Sequence, residues 1–341
     1  MLSLDTRLTK DSVYLRPSMI KFEGSTSMDI ELYGSSLRPL PMYLNRQVIK
    51  IMEDMGVQDS WFLHLQSQEV ERLRQITATA SNAARFLKSQ SIGEVGHLSW
   101  FIKRLSSLEL DFRRDRFLRD VLELSVMMQV CVMKYRARIP VPSGMTLFGI
   151  MDETGFIEEG QVYCCFMEGS SKKHLVGKNL VITRSPALHP GDIQLVQAVA
   201  PPPDSPLLSL SNCICFSQKG DRDLPSKLSG GDLDGDLYNI IWDPAYKPSH
   251  TCLPADYPRQ LPQDIGREVT PDDMTDFFVN FMETDQLGRI ATSHQVLADQ
   301  RLKGTSDPDC KMLAELHSTA VDFSKTGIPV SSTSAECDQH D

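Results

Sequence analysis

The chain has 341 residues, of which 41% are hydrophobic and 23% are charged, and its formal net charge at pH 7 is −10. This composition is ordinary for a globular protein of two or three domains, and the acidic balance argues against a surface that coats nucleic acid broadly. The longest nearly uncharged apolar stretch, residues 124–133, is too short to cross a bilayer, and the N-terminal residues lack the apolar core of a signal peptide. We therefore expect a nuclear or cytoplasmic protein without membrane association.

The first half of the chain is patterned for helices. Apolar side chains recur at three- and four-residue spacing over residues 40–57 and again over residues 68–88. Residues 116–135 are apolar on most sides, which is typical of a helix that packs inside a larger assembly. The spacing therefore predicts two amphipathic helices and one more buried helix within a helical connector of about residues 39–138.

From Ile139 onward the period changes, and short β-prone runs alternate with Gly, Pro and Asp. The predicted strands are residues 146–150, 161–167, 179–183, 192–198, 212–216 and 237–242. Because closing a sheet removes its exposed edges, six short strands in about a hundred residues predict a small barrel. After a proline-rich link at 245–262, helical patterning returns at 271–299 and 310–321, and the polar tail 331–341 is predicted to be disordered.

The most informative segment is the run Ser229–Asp236, which reads Ser-Gly-Gly-Asp-Leu-Asp-Gly-Asp. It places three carboxylates at alternate positions: Asp232, Asp234 and Asp236. Hard oxygen ligands suit Mg²⁺, which completes its coordination shell with water and with phosphate oxygens. Three neighbouring carboxylates also repel one another, and a divalent cation offsets this repulsion. The pattern therefore predicts a Mg²⁺ site that handles phosphates.

Glycines surround these acids at Gly230, Gly231 and Gly235, where they allow positive φ and close approach of a backbone or a nucleic acid. The EF-hand calcium loop also spaces acids at its first, third and fifth positions, but its sixth position should be Gly and its twelfth Glu. This chain has Leu237 and Asp243 there, so the template fails. A solvated acidic turn without a metal remains an open alternative.

Basic residues precede the acidic run. Residues 169–191 contain four cations and no acid, and Lys219, Arg222 and Lys227 follow, accompanied by Asp221 and Asp223. A basic approach beside metal-binding acids fits a cleft for phosphates, although solvated lysines or ordinary ion pairs explain the same pattern.

With the acidic run placed before the last strand of a small barrel, the sequence resembles the cellular RNA-dependent RNA polymerases of RNA silencing. The resemblance rests on an ordered series of segments: 14–22, 44–47, 138–141, 152–155, 159–162, 184–192, 218–222, 229–236 and 316–323. Together these segments span most of residues 10–329, which makes them far more specific than one acidic element.

The resemblance implies an α+β chain in which a helical connector precedes a six-stranded double-psi β-barrel and a helical C-terminal extension. The implied domains are the end of a first catalytic barrel with a linker at 1–38, the connector at 39–138, the second barrel at 139–246, the extension at 247–330 and the tail at 331–341. The acidic run would be the catalytic metal site of that second barrel.

The implied activity is Mg²⁺-dependent nucleotidyl transfer from nucleoside triphosphates on a single-stranded RNA template, producing double-stranded RNA for silencing. Asp232, Asp234 and Asp236 would be the catalytic metal ligands. Contacts with RNA or the triphosphate would come from Arg184, Lys219, Arg222, Gly230, Gly231 and Gly235. The implied partners are the RNA template, the nucleoside triphosphates and other RNA-silencing proteins.

In this family the chain would begin near the end of the first barrel and stop before the C-terminal head, so we expect a truncated product or fragment. Two other functions remain open at this point. One is a non-catalytic remnant that binds RNA or a silencing partner, and the other is a metal-binding structural domain without nucleotide chemistry.

Overall fold

The structure, a computed structural model, describes residues 2–8, 12–20, 24, 26–27, 29–246, 248–258, 261–262 and 264–330. These residues form two units. The barrel unit comprises the described parts of 1–41, 143–243 and 250–341, and the helical unit comprises those of 42–142 and 244–249. Within the described ranges, no helix combines the length and the apolar character that crossing a membrane requires.

The barrel unit is built on a sheet that closes on itself. The strands are β1 (Leu40–Tyr43), β2 (Pro140–Met151), β3 (Gln161–Glu168), β4 (Ser171–Leu175), β5 (Asn179–Arg184), β6 (Ile193–Ala198), β7 (Cys213–Phe216) and β8 (Leu237–Ile241). Hydrogen bonding follows the order β2-β7-β3-β6-β5-β8, and β8 returns to β2. The pairs β2–β7 and β3–β6 are parallel, whereas β3–β7, β5–β6, β5–β8 and β2–β8 are antiparallel. This closure confirms the predicted six-stranded barrel.

The inside of the barrel is filled by apolar side chains that alternate along its strands. Those with no solvent exposure include Val162, Leu180, Ile182, Ile214, Phe216, Tyr238 and Ile240. Burying such side chains is the main favourable term in folding, at about 25 cal/mol per Å². Tight packing makes the barrel a rigid support for the loops that leave it.

The strand predictions hold with three differences, and the first is that β1 lies in a range predicted to be helical and was not predicted as a strand. β2 begins at Pro140, six residues before the predicted start at Thr146. β4 was not predicted, because its sequence Ser-Lys-Lys-His-Leu has little apolar alternation. It pairs with β3 alone, outside the barrel, where one exposed face tolerates lysines.

The helices divide between the two units. The helical unit contains α1 (Arg46–Asp54), α2 (Asp59–Arg74), α3 (Ala80–Ser89), α4 (Leu98–Ser107) and α5 (Arg116–Arg136). The barrel unit contains the short α6 (Leu224–Lys227), followed by α7 (Pro271–Thr284), α8 (Leu287–Gln300) and α9 (Pro308–Thr326). Of the predicted helices, the one at 116–135 is reproduced almost to the residue, and α4 was missed.

Three predicted helices were too long, and capping side chains explain where each one breaks. The range 40–57 contains β1 and then α1, which begins where the Asn45 side chain accepts the Val48 N–H. The range 68–88 is divided because the Thr79 side chain accepts the Asn82 N–H and starts α3. The range 271–299 is divided at Asp285, whose carboxylate accepts the Leu287 N–H. Periodicity continues across these breaks, whereas hydrogen bonding does not.

The domain boundaries predicted from the resemblance stay predictions. The observed units place residues 244–249 with the helical unit and the described N-terminal residues with the barrel unit. The disordered tail predicted at 331–341 lies outside the described residues.

Candidate metal centre

The acidic loop, residues 229–236, connects the end of the short α6 region to β8. Its backbone has positive φ at Ser229 (53°), Gly230 (66°), Leu233 (60°) and Gly235 (143°). Two of these residues are not glycine, and the left-handed region costs a non-glycine residue about 1–2 kcal/mol. Such a conformation persists where the surrounding structure holds it.

The loop brings the three predicted carboxylates together. One carboxylate oxygen from each of Asp232, Asp234 and Asp236 lies within 4.8 Å of the others. Asp232 and Asp234 are exposed, while the side chain of Asp236 is 9% exposed. The Asp232 N–H donates to Asp236 Oδ2 over 2.9 Å, which folds the loop back on itself. The set consists entirely of hard oxygen donors and therefore fits a divalent cation.

Electrostatics in the loop favour such a cation. Partial burial, together with the charges of Asp232 and Asp236, raises the pKa of Asp234 above its usual value. The raised pKa means that the ionised cluster is unfavourable without a compensating positive charge. A divalent cation supplies that charge.

Arg184, at the end of β5, is the cation in direct contact with this cluster. Its Nη2 lies 2.7 Å from Asp236 Oδ1, and its Nη1 donates to the Ser229 carbonyl over 2.9 Å. The guanidinium therefore connects the first and last residues of the acidic loop. A planar fork of donors allows both contacts at once, which a lysine could not reproduce.

Residues of the barrel strands contact the acidic loop and support it. The Gly149 N–H of β2 donates to the Asp236 carbonyl over 3.1 Å. A Cβ at Gly231 would lie 2.4 Å from the Tyr238 hydroxyl oxygen, so only glycine fits this close approach. Gly235 faces open space, and its φ is the feature that favours glycine there.

A cavity of about 930 Å³ opens beside the acidic loop. Its lining includes Arg184, Asp232 and Asp234 on one side and His317 and Lys325 of α9 on the other. The charge of Lys325 acts on Asp234 and lowers its pKa, in opposition to the larger raising effects. Burial lowers the pKa of His317, which favours its neutral form. The cavity is large enough for a small-molecule ligand, which typically needs roughly 300–1,000 Å³.

The two other predicted basic residues are engaged away from the carboxylates. Lys219 forms an ion pair with Glu158. Arg222 donates to the Ser226 hydroxyl over 3.0 Å and to the Ser226 carbonyl over 2.7 Å, within its own loop. Neither residue is among those that line the cavity. Their roles, like those of the other predicted site residues, stay predictions.

Several residues that line this cavity were not predicted as site residues, among them Asp192, Tyr257, His317 and Lys325. Asp192 and His317 lie within segments that carry the resemblance to silencing polymerases, which was a usable signal. Tyr257 and Lys325 come from the regions after the barrel, and no local pattern indicates that these regions fold back over the acidic loop.

Comparison with known proteins identifies the family. Residues 1–340 match the family described as "RNA dependent RNA polymerase". The chain belongs to this family. It is 34% identical over 334 residues to the probable RNA-dependent RNA polymerase 2 of Oryza sativa subsp. japonica, covering 92% of this chain and 28% of that protein. It is also 34% identical over 318 residues to RNA-dependent RNA polymerase 1 of Arabidopsis thaliana, covering 92% of this chain and 28% of that protein.

The fold is similar to a solved member of the polymerase family. The RNA dependent RNA polymerase QDE-1 from Thielavia terrestris superposes with a TM-score of 0.65 at 22% sequence identity, covering 88% of this chain and 37% of that chain. The predicted class, α+β with a double-psi barrel, is therefore confirmed. The chain spans between a quarter and a half of the length of these relatives.

Proposed function

We propose that this chain carries the metal-binding part of the active site of an RNA-directed RNA polymerase. In the proposed reaction, the 3′-hydroxyl of the growing RNA attacks the α-phosphate of a nucleoside triphosphate. A new phosphodiester bond forms, the bond to pyrophosphate breaks, and the hydroxyl proton is lost to the surroundings. The observation that carries this proposal is the convergence of three carboxylates beside a cavity in a chain of this polymerase family.

The cofactor we propose is Mg²⁺, held by Asp232, Asp234 and Asp236. When bound there, it would lower the pKa of the attacking hydroxyl and neutralise charge that develops on the phosphates. Arg184 contributes by fixing the orientation of the Asp236 carboxylate through their ion pair. The exposed carboxylates of Asp232 and Asp234 face the cavity, where triphosphate oxygens could reach the same ion.

We propose that the substrate contacts are to backbone and phosphate, because the sequence of the template is read by base pairing. Gly230 and Gly235 leave the loop accessible at its surface, and Gly231 lets it lie close to the barrel. Contacts from Lys219 and Arg222 to RNA would replace their present bonds to Glu158 and Ser226. Lys325 is a further cation on the cavity wall, opposite the acids.

This chain spans only 28% of each curated relative named above. The reaction of the complete relatives is therefore part of the proposal for this chain. We propose double-stranded RNA as the product, single-stranded RNA and nucleoside triphosphates as substrates, and other silencing proteins as partners. The compartment in which this protein works, nuclear or cytoplasmic, stays a prediction.

The experiment that tests the proposal measures incorporation of labelled nucleotides on single-stranded RNA as Mg²⁺ is varied. We expect incorporation that requires Mg²⁺ and falls by at least about 10²-fold in Asp234→Asn, a loss typical of removing one charge-stabilising group. Asp204→Asn is the matched control, because Asp204 is an exposed acid in a loop outside the cavity lining. It should leave incorporation unchanged.

A wild-type chain that incorporates nothing at any Mg²⁺ concentration would contradict the proposed activity. If such a chain still binds RNA with strong salt dependence, the non-catalytic remnant becomes the better description, because contacts with phosphates weaken steeply with salt. Binding of neither RNA nor divalent cation would contradict the proposed site itself.

A further inference from the structure

A buried acid lies directly behind the acidic loop. Asp192, at the end of the His-Pro-Gly-Asp turn, is 1% exposed. Its Oδ2 accepts the N–H groups of Leu188 (3.1 Å) and His189 (3.0 Å), and its Oδ1 accepts the Tyr257 hydroxyl (2.6 Å). The Ser229 N–H also interacts with this carboxylate and helps to lower its pKa. One carboxylate thus joins its own turn, the segment after the barrel and the first residue of the acidic loop.

Ser229 is held at each of its polar groups by residues outside the acidic loop. Its carbonyl accepts from Arg184 over 2.9 Å, its hydroxyl donates to the Pro186 carbonyl, and its N–H interacts with the Asp192 carboxylate and helps to lower the pKa of that group. These bonds fix a residue whose φ is +53°, in the left-handed region. Without them, a serine there would favour an ordinary negative φ, and the direction in which the loop leaves would change.

Tyr257 supports the same loop by packing. A Cβ at Gly230 would lie 3.4 Å from the Tyr257 Cβ, an ordinary van der Waals distance, so Tyr257 lies beside Gly230. Nearby, a Cβ at Gly191 would lie 2.1 Å from the Leu253 carbonyl oxygen, so the segment of residues 250–258 lies against the turn that carries Asp192. The turn, the segment and the acidic loop therefore form one packed layer.

We propose that Asp192 and Tyr257 are positioning residues that hold the acidic loop in the conformation that binds the divalent cation. Neither residue belongs to the proposed ligand set, and both act through Ser229 and Gly230. Three carboxylates of the loop lie within 4.8 Å of one another and repel, and two non-glycine residues of the loop have positive φ, so the loop needs external anchors to stay closed. The inference rests on the proposed metal site and extends it to the residues that support it.

The test measures cation affinity directly, without polymerase activity. Mn²⁺ is titrated into the folded chain, and the bound fraction is followed by electron paramagnetic resonance. We expect Asp192→Asn to weaken Mn²⁺ binding by about 10-fold or more, as removal of a supporting hydrogen bond does at other metal sites. Tyr257→Phe, which keeps the ring and removes one hydrogen bond, should weaken binding by a smaller factor.

Asp152→Asn is the matched control. Asp152 is 0% exposed and also caps a turn, because it accepts the N–H and hydroxyl of Thr154 and the N–H of Ile157. If the role of Asp192 is purely structural, both Asn variants should lose stability to the same extent. Both should then bind Mn²⁺ with the affinity of the wild type. That result would overturn the inference while leaving the metal site intact.

Two further outcomes are informative. If Asp192→Asn does not fold, Tyr257→Phe decides alone, and an unchanged Mn²⁺ affinity in that variant overturns the inference. If the wild-type chain binds no Mn²⁺, or if Asp234→Asn binds it equally well, the proposed metal site fails and the positioning role fails with it.

Discussion

Arg184 illustrates how the sequence can suggest a role for a single side chain while its contact partners are known only from the fold. The basic segment predicted that it would lie near phosphates, whereas the structure shows it bonded to Asp236 and to the Ser229 carbonyl. The ion pair is largely buried, with exposures of 23% and 9% for the two side chains. Removing one partner of such a pair leaves an uncompensated charge, which is more costly than the pair is favourable.

The buried Asp192 side chain makes the stability of the fold depend on pH. Burial raises its pKa to about 6, although the hydrogen bonds that it accepts act in the opposite direction. A raised pKa means that the folded state favours the protonated carboxyl. The stabilisation that comes from protonating Asp192 in the folded state is therefore fully present below the unfolded pKa of about 4. It is lost as the pH rises through the folded pKa of about 6.

We expect the free energy of unfolding of the wild type, relative to Asp192→Asn, to increase by about 1 kcal/mol when the pH falls from about 7.5 to about 5. Urea denaturation of both proteins at a series of pH values measures this difference. Burial also lowers the pKa of His189 to about 4, but this residue is present in both proteins and its effect cancels. A difference that does not vary with pH would show that Asp192 stays ionised throughout.

At the scale of elements, the acidic loop is supported by two antiparallel neighbours in the barrel. The register of β2 and β8 places Leu147 opposite Tyr238 and Phe148 opposite Leu237. The next residue of β2, Gly149, bonds to the Asp236 carbonyl over 3.1 Å. The backbone of the last ligand of the proposed metal site is thus attached to the strand ladder of the barrel, while its side chain is held by Arg184 and the Asp232 N–H.

Gly149→Ala tests how closely the barrel core packs against β2 at this point. A Cβ at that position would lie 2.3 Å from the Tyr238 ring and 2.8 Å from the Phe216 ring, both in the barrel core. We expect the substitution to lower the free energy of unfolding by roughly 1–3 kcal/mol through overpacking. Thermal or urea denaturation followed by circular dichroism measures the effect.

Gly288→Ala is the control, because Gly288 lies in α8 and a Cβ added there would have no atom within 4 Å. Alanine there should leave stability unchanged or raise it by up to about 1 kcal/mol, since alanine is the better helix former. Equal losses in the two variants would mean that close packing is not the reason why glycine is needed at position 149.

At the scale of the whole molecule, the helical unit carries an apolar stripe along α5. The stripe consists of Phe117, Leu124, Met128 and Tyr135, which are 62%, 54%, 58% and 60% exposed. Contiguous apolar surface of this kind favours association, because burying it removes it from water. Its spacing of seven, four and seven residues places these side chains on one side of the helix.

We expect the purified chain to associate reversibly at increasing concentration, and the double variant Leu124→Gln with Met128→Gln to remain at a lower apparent mass. Sedimentation velocity measures both. Arg119→Gln, a change on the same helix outside the stripe, is the control and should behave as the wild type does. Association that persists unchanged in the double variant would exclude the stripe as the contact surface.

The sequence by itself determined the family, the barrel and the three carboxylates. The barrel and the carboxylates follow from local features: alternating apolar residues that form strands, turn residues between them, and acids spaced for one cation. The family followed from an ordered series of segments that resembles known polymerases. The helix at 116–135 was also predicted almost to the residue, because its apolar pattern and its Asp115 cap lie within one continuous segment. The breaks in three other helices were missed, since a single capping side chain outweighs a periodic pattern that continues past it.

Tertiary structure alone decided what surrounds the carboxylates. Asp192 and Tyr257 are 65 residues apart in the chain and meet behind Ser229 because the segment after the barrel folds back over the turn. The same folding brings Lys325 of α9 to the cavity and places Lys219 and Arg222 in bonds away from it. Local patterns carry no information about such contacts, because they depend on how distant segments pack to bury apolar surface and to satisfy buried polar groups.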